Sequence, residues 1–572
     1  MTDQVAMTDQ VIPLEGEERA DHVSADELIG LTADSAFYRH IRSKLLGRGA
    51  KLLSGPRGTG KTHQMRYVYL KCIKETGQPA AAYISFSRYA RLEPLLRSSP
   101  DALKVFSSWM VAKLAVGCVE FIRACLVTNG DLLEATLDVP TEEIVNYIAE
   151  IENGDRLPSH DAVQTRLSMA NLHRLFQRLQ EVTGRERVVL LLDDAALSLA
   201  PEYHAEFFSV FQDLKSPKVS PKASVYPGTT QYGPRFHARH DAEIVNAWLS
   251  VEDPDYLTVM DELLSKRATA KPPQNEIVEL FQYLAFGVPR TLLAMLRAYE
   301  HVSQKANRTV QQNVNTVVQE QVWLQKVEFE SLQYKLPQFK SVIVAGWNVF
   351  DAVVGAVAKD NQALIPSEEK QVVIGIQQAD LSTMEARMLN LLVEVGLLYP
   401  LRAVQHGEGR EYDRYIPHYA RLMDERAFTV SRGFSAKAIV EVLRRKSTKH
   451  PVRRTLQRLL GSASQNLHLD LAPCTNCGTA RMDEAQRFCA YCGNRLPEPS
   501  RFRQMLALPI NDLPIRNWQK TAIASNTQVK TIGDLLSLQD PASELRRGPM
   551  IGKKRSRDIL DAVYTVVEEF LS

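Results

Sequence analysis

Eight residues, Gly55-Pro56-Arg57-Gly58-Thr59-Gly60-Lys61-Thr62, constrain this chain more than any other stretch. They match the pattern GxxxxGK[ST]. The apolar run Ala50–Ser54 before them reads as a short buried strand. Met65, Val68, Tyr69 and Cys72 after them recur at i, i+3, i+4 and i+7, which predicts a helix beginning at the lysine. Strand, glycine loop and helix in that order is the context the motif requires. Gly55, Gly58 and Gly60 let the backbone curl so that its N–H groups converge on phosphate oxygens, with Thr59 inside the same loop. The helix N-terminus adds its positive dipole end. Lys61 is placed to reach the β- and γ-phosphates, and the Thr62 hydroxyl to ligate Mg²⁺. By composition alone the pattern would arise in roughly one chain of this length in fifty.

A metal-binding carboxylate is expected on a second strand. Arg187-Val188-Val189-Leu190-Leu191-Leu192-Asp193-Asp194 is an apolar run ending in two acids. Asp193 is the candidate magnesium ligand, and Asp194 the group that orients or deprotonates an attacking water. Ala80–Phe86 reads as another strand, Asp101–Arg178 as a long helical region, and Ala223–Tyr226 as a further parallel strand. Thr229 or Thr230 at that strand's end either bonds the attacking water or terminal phosphate, or closes an ordinary turn. Arg235 and Arg239 beyond it are either surface arginines or fingers acting on a neighbouring copy.

Gly287-Val288-Pro289-Arg290 then opens an apolar-periodic helix. Phosphate loop, acid-ended strand, strand-end threonine and G-x-P-R in this order resemble the AAA+ superfamily, specifically its origin-recognition-like initiator branch and the related STAND signal-transduction ATPases. The resemblance spans about residues 25–305. It implies an α/β P-loop NTPase with a parallel sheet and helices on both faces, ATP and Mg²⁺ as cofactors, and Arg290 as a sensor of the γ-phosphate. Asp194 stands where many relatives carry Glu, which implies slow hydrolysis.

At 572 residues the chain exceeds one hydrophobic core, and roughly three to five domains are expected. An apolar content of 45% and a charged content of 24% are those of ordinary soluble protein. No secretory signal or apolar run of about 20 residues is evident in the sequence pattern, so a cytoplasmic chain without membrane contact is expected. The odd cysteine count of 7 argues against a disulfide framework and for a reducing compartment. Cys72, Cys118 and Cys125 lie in apolar helical surroundings and are expected to be packed thiols.

Seven segments follow from these readings: a loose tail 1–24, the ATPase core 25–245, a helical lid 246–330, a winged-helix-like domain 331–428, a basic helical linker 429–470, a zinc ribbon 471–498 and a small all-α domain 503–572. The winged-helix pattern is an apolar helix at Val342–Ala358, a capped helix from Ser382, and two strands, Leu397–Leu401 and Tyr412–Ile416, around a turn. Such a domain serves DNA or protein contacts. Arg444, Arg445, Lys446, Lys449, Arg453, Arg454 and Arg458 follow, either a phosphate-backbone surface or a solvated linker. Cys474, Cys477, Cys489 and Cys492 form two CxxC pairs, each followed by glycine, the spacing of a structural zinc site. Residues 503–572 resemble the C-terminal domain of the RNA polymerase alpha subunit, with the hairpin of a helix-hairpin-helix at Ile551–Lys553, charge from Lys553, Lys554, Arg555 and Arg557, and Met550 where many such hairpins carry their first glycine.

The function expected from the sequence is an ATP-binding, ATP-hydrolysing switch that acts with DNA and self-associates on ATP. By architectural analogy it belongs to anti-phage defence or a mobile element. The alternative is a nucleotide-binding scaffold that turns over little and recruits an effector protein or the transcription machinery.

Overall fold

The computed structural model describes residues 23–563 apart from 87–91, 93–99, 126–131, 154–160, 196–200, 268–273, 305–307, 379–380, 408–409, 430–434, 449, 463–466, 483–485, 487, 497–504, 514, 537, 539–540, 553–554, 557–558 and 561. Its first sheet is built from β1 (Lys51–Ser54), β2 (Ala80–Ser85), β3 (Val188–Asp193), β4 (Val219–Val225) and β5 (Glu243–Asn246) in the order β2-β3-β4-β1-β5. All neighbours run parallel. Successive strand residues point to opposite faces, yet every residue of β3 and β4 is buried. Both faces are therefore covered, which explains why Val188–Leu192 is uniformly apolar instead of alternating. This is an α/β fold built on a five-stranded parallel sheet. The helix Lys61–Lys74 leaves β1 through the glycine loop and buries Met65, Val68 and Cys72.

Burial of Lys222 within β4 needs a partner for its ammonium. Its Nζ donates to the carbonyls of Gly47 and Gly49. The long helix Ala102–Cys125 packs against β2 and buries fifteen of its residues, Trp109, Cys118 and Phe121 among them.

Three helices, the stretch expected as a lid, follow β5: Tyr256–Arg267, Asn275–Leu284 and Pro289–Ser303. Gly287 precedes the last of them at φ +77°, and a Cβ there would lie 2.1 Å from the Leu249 carbonyl oxygen. Only glycine permits the chain to pass so close. Trp248 Nε1 donates to the Phe286 carbonyl and the Tyr256 hydroxyl accepts the Gly287 N–H, fixing the turn.

A second sheet has the order β7-β8-β6-β9: β6 (Ile374–Gln377), β7 (Leu398–Gln405), β8 (Glu411–Pro417) and β9 (Val452–Arg454). β7 and β8 form an antiparallel hairpin; the helix Thr383–Glu394 precedes it, its start fixed by a reciprocal Ser382–Glu385 capping box. The helix Lys340–Leu364 backs the sheet. The stretch expected as a basic helical linker behaves differently in part. Its helix Ala436–Arg444 is followed by β9, which pairs in parallel with β6 and so belongs to this sheet. Arg444 forms an ion pair with Glu279 of the lid, Arg445 donates to the Ile365 carbonyl, and Arg454 lies 4.0 Å from Asp360. Lys446, Arg453 and Arg458 remain exposed, while Lys449 lies outside the described residues.

One sequence expectation is corrected. Ala102–Cys125 and Pro337–Ser367 are both long and apolar enough to cross a membrane by length and composition. Lys104, Lys113, Glu120 and Arg123 break up the first as a sequence run. Most of each apolar window, 78% and 56% respectively, is buried against protein, as in the core helices of a large domain.

The chain's last described part has its own core. Ile510, Leu513, Ile523, Ile532, Leu535, Leu545 and Ile551 pack together apart from the main cluster. Of the basic residues expected at the hairpin, Arg555 is described and lies over the Trp518 ring; Lys553, Lys554, Arg557 and residues 564–572 lie outside the described residues. Met550 adopts φ +64°, a left-handed position that glycine fills more readily.

Candidate nucleotide site and metal centre

The glycine loop leaves β1 at Ser54 and turns back through two left-handed residues, Gly58 at φ +80° and Gly60 at φ +88°. A Cβ at Gly58 would stand 2.9 Å from Val288 Cγ1 and 3.0 Å from Arg290 Cβ, so the start of the lid helix rests directly on the loop. Among the described residues no other atom lies within 4 Å of the corresponding point at Gly60, where the loop opens outward. Thr59 Oγ1 donates to the Pro56 carbonyl and braces the turn. Lys61 is buried, and its Nζ donates to the carbonyls of Gly55 and Pro56.

Two further elements, the end of β3 and the helix Thr383–Glu394, bring charge to this lysine. Burial pulls its ammonium down to about 7; Asp193 works against that shift, Arg57 adds to it, and Asp194 and Glu394 oppose it. Asp193 is buried at the end of β3. Its Oδ2 accepts from the Tyr83 hydroxyl at 2.9 Å and its Oδ1 from the Asp194 N–H at 3.0 Å. The same N–H reaches Ser224 Oγ of β4 at 2.8 Å. Asp194 itself sits at φ +52°. Among side chains with a Cβ, Asp and Asn tolerate this region best, which gives a backbone reason for Asp where Glu is common.

At the end of β4 both threonine hydroxyls have partners within the protein. Thr230 Oγ1 accepts the Tyr226 N–H at 2.9 Å, so its hydroxyl closes the turn. Thr229 Oγ1 donates to Glu394 Oε1 at 3.0 Å. The residue of this strand end that meets the loop is Tyr226, whose ring centroid lies 4.1 Å from Lys61 Nζ and 5.7 Å from the Arg57 guanidinium. Sequence reasoning missed both Tyr226 and Glu394. Tyr226 had a local signal, as the last apolar residue of a strand entering the site. Glu394 had none, since it lies 165 residues from Thr229 in sequence. Arg290 is exposed beside the loop, and Arg235 and Arg239 are exposed on the segment after β4.

This donor set fits a magnesium-bound nucleoside triphosphate. It offers an opening glycine turn, a lysine beside it, a hydroxyl at Thr62 at the first turn of the helix, and a buried carboxylate at Asp193.

The four expected metal ligands also come together. The thiol sulfurs of Cys474, Cys477, Cys489 and Cys492 all lie within 4.8 Å of one another, and the Cys474–Cys492 and Cys477–Cys489 pairs stand 3.5 Å apart. Zn–S bonds of about 2.3 Å place tetrahedral sulfurs about 3.8 Å apart, so the convergence suits one zinc ion. Each knuckle closes on a left-handed glycine, Gly478 at φ +71° and Gly493 at φ +70°. The Thr479 hydroxyl holds the Cys477 thiol below its ordinary range, and backbone N–H groups do the same for Cys489 and Cys492, whereas Cys474 is pushed up to about 11, against its backbone hydrogen bonds, by burial and the neighbouring Cys492 and Cys477 thiols. Thiolates are what a zinc ion binds.

No protein-family model matches the chain, and no curated protein matches it. Among solved structures it is similar to the Walker-type ATPase PABY2304 of Pyrococcus abyssi, at 14% identity and a TM-score of 0.35 over 69% of this chain and 96% of that one. It is also similar to the Aeropyrum pernix ORC1 protein in complex with DNA, at 14% identity and a TM-score of 0.27 over 71% of this chain and 95% of that one. Likeness at this level leaves the chemistry to the site itself.

Proposed function

We propose that this chain is an ATP-binding switch that hydrolyses ATP slowly and passes its nucleotide state to DNA-associated modules behind the motor. The observation that supports the reading is a buried Lys61 on a left-handed glycine turn, within reach of the charges of Asp193 and Asp194 at the end of β3 though not in contact with them.

Gly55, Gly58, Thr59, Gly60, Lys61 and Thr62 would hold the phosphates, with Thr62 and Asp193 ligating Mg²⁺. The bound magnesium nucleotide supplies a phosphoryl group already polarised for attack by water. Lys61 exchanges its two carbonyl partners for phosphate oxygens, offering a desolvated cation worth more than one in water. Tyr83 and the Asp194 N–H fix the Asp193 carboxylate. Asp194 orients the water and takes its proton. Arg290, resting on Gly58, links the loop to the lid. Thr230 acts indirectly by holding the Tyr226 turn.

The exposed Lys446, Arg453 and Arg458, the four-cysteine ribbon and the separate C-terminal core form the DNA-associated part of the reading, by backbone contacts without sequence readout. ATP-dependent self-association and a cytoplasmic role in defence or in a mobile element belong to the same reading. The short Asp194 and the engaged Thr230 hydroxyl favour a second one, a scaffold that binds nucleotide and recruits an effector with little turnover.

ATP turnover measured with and without double-stranded DNA separates them, using wild type, Lys61→Ala and Asp194→Asn. DNA-stimulated turnover that both substitutions abolish supports the switch. Tight binding with negligible turnover supports the scaffold, and failure of the wild type to bind nucleotide overturns both.

A further inference from the structure

Glu394 ends the helix Thr383–Glu394, far from the nucleotide fold in sequence, yet it is buried at the carboxyl end of β4. One carboxylate oxygen accepts the Thr229 hydroxyl; the other, Oε2, is buried with no hydrogen-bond partner among the described residues. A buried acceptor left unpaired is costly, so something holds the helix in place. Gly228 is part of it. A Cβ there would lie 2.6 Å from Glu394 Oε2, 2.7 Å from the Asn390 carbonyl oxygen and 2.9 Å from Leu391 Cα. Only a bare backbone admits the helix this closely.

Other contacts dock the same domain. Tyr399 packs edge-on against Trp248 at 4.6 Å and accepts from Asn246 Nδ2. Lys370 forms a buried ion pair with Glu252.

β4 lies between β1, which feeds the glycine loop, and β3, which carries Asp193. Ligands of such sheets sit beyond the carboxyl ends of the strands, and the loop lysine takes the terminal phosphates. A carboxylate at the end of β4 therefore stands on the terminal-phosphate side. It brings negative charge where a triphosphate brings more than a diphosphate.

We propose that Glu394 discriminates against a triphosphate while its helix is docked, so that ATP, unlike ADP, releases the Thr383–Glu394 helix from the end of β4. The inference rests on the nucleotide-site reading above. A ligand shifts such an equilibrium only through differential affinity for its two states, and the unpaired carboxylate supplies that difference.

The test is titration of wild type, Glu394→Gln and Glu394→Asp with fluorescent ADP and with a fluorescent non-hydrolysable triphosphate analogue. Hydrogen exchange of residues 383–397 is followed in parallel. Glu394→Gln is expected to tighten the triphosphate about tenfold and ADP less than about threefold, the scale of one unit charge near a second at the effective dielectric of a protein site. Glu394→Asp keeps the charge and the wild-type ratio. In wild type the triphosphate speeds exchange in 383–397 and ADP leaves it unchanged.

An unaltered affinity ratio in Glu394→Gln, or slower exchange with the triphosphate, overturns the proposal. If Glu394→Gln fails to fold, Thr229→Val tests the same contact. It removes the only donor to the carboxylate among the described contacts, and it is expected to raise triphosphate preference and speed exchange without nucleotide. Unchanged values count against the proposal. Wild type that binds no nucleotide defeats the nucleotide-site reading and this inference with it. Wild type that binds while Lys61→Ala does not, with no effect at Glu394, defeats this inference alone.

Discussion

Lys61 holds its ammonium 4.1 Å from the centre of the Tyr226 ring while donating to the Gly55 and Pro56 carbonyls. A buried lysine without a carboxylate in contact needs such partners, because desolvation penalises its charge. The ring face supplies negative quadrupole density. Tyr226→Leu is expected to lower stability by about 1–2 kcal/mol through this loss together with lost ring packing. In a double-mutant cycle with Lys61→Met, the coupling should be at least about 0.5 kcal/mol. Additive denaturation midpoints would show that the ring contributes packing only.

Gly287 and Gly184 both sit at positive φ, but for different reasons. At Gly184 no other atom of the described residues lies within 4 Å of where a Cβ would stand, whereas at Gly287 the Leu249 carbonyl oxygen is 2.1 Å away. Gly184→Ala should cost about 1–2 kcal/mol, the strain of a left-handed residue alone. Gly287→Ala adds a collision with backbone on top of that strain and should cost more than about 4 kcal/mol. Its effect reaches the site, because Val288 and Arg290 rest on Gly58. Thermal unfolding of the two variants checks the contrast; equal losses would mean that the turn relaxes freely.

How much of this was legible beforehand depended on range. The strand, loop and helix around Lys61 are local, and their pattern alone locates β1 and the helix Lys61–Lys74. The same holds for the Ser382 cap and the cysteine knuckles, each set by residues a few positions apart. Contacts across long sequence separations left no such trace. β9 joins β6 across more than 70 residues, and a short basic run gives no period by which to recognise a strand. Glu394 reads as an ordinary helix residue until Gly228 lets its helix approach. Thr230 was read by position alone, and the bond of its hydroxyl to the Tyr226 N–H depends on how the turn closes.

The cysteine cluster yields a prediction independent of nucleotide. Four thiols within 4.8 Å of one another form a closed donor set with no open position for a substrate, so the ion's role is structural. The purified chain should contain one zinc per molecule, measured by elemental analysis. Cys489→Ser should lower that content and free the knuckle turns at Gly478 and Gly493, seen as faster hydrogen exchange in 474–496. The Cys474 and Cys489 sulfurs pack with Leu496 in a core of their own, separate from the sheets. Chelation should therefore leave nucleotide binding within about twofold, since sites that share no contacts behave additively. Metal-free protein with unchanged exchange would end the zinc assignment.

His418 links acidity to stability. It caps the helix Tyr419–Asp424, with Nδ1 accepting the Ala420 N–H at 3.1 Å, and its ring packs 4.6 Å from that of Phe286. An accepting nitrogen requires the neutral ring, and burial pushes the imidazole's pKa down to about 3. The unfolded chain, titrating near 6.5, therefore binds more protons than the folded one between those two values. Stability rises with pH across that window and is lost as pH falls from about 6.5 toward 3. Between pH 7.5 and 5.5 this one group should remove about 1.4 kcal/mol. His418→Asn keeps a capping oxygen and removes the titration. The variant should be less stable at pH 7.5 because it packs less well against Phe286, yet its loss between the two pH values should be smaller than that of wild type by about 1.4 kcal/mol. Chemical denaturation at both pH values measures the difference of differences, in which the other titrating groups cancel. Parallel pH dependences in the two proteins would show that His418 takes up its proton without leaving the folded state.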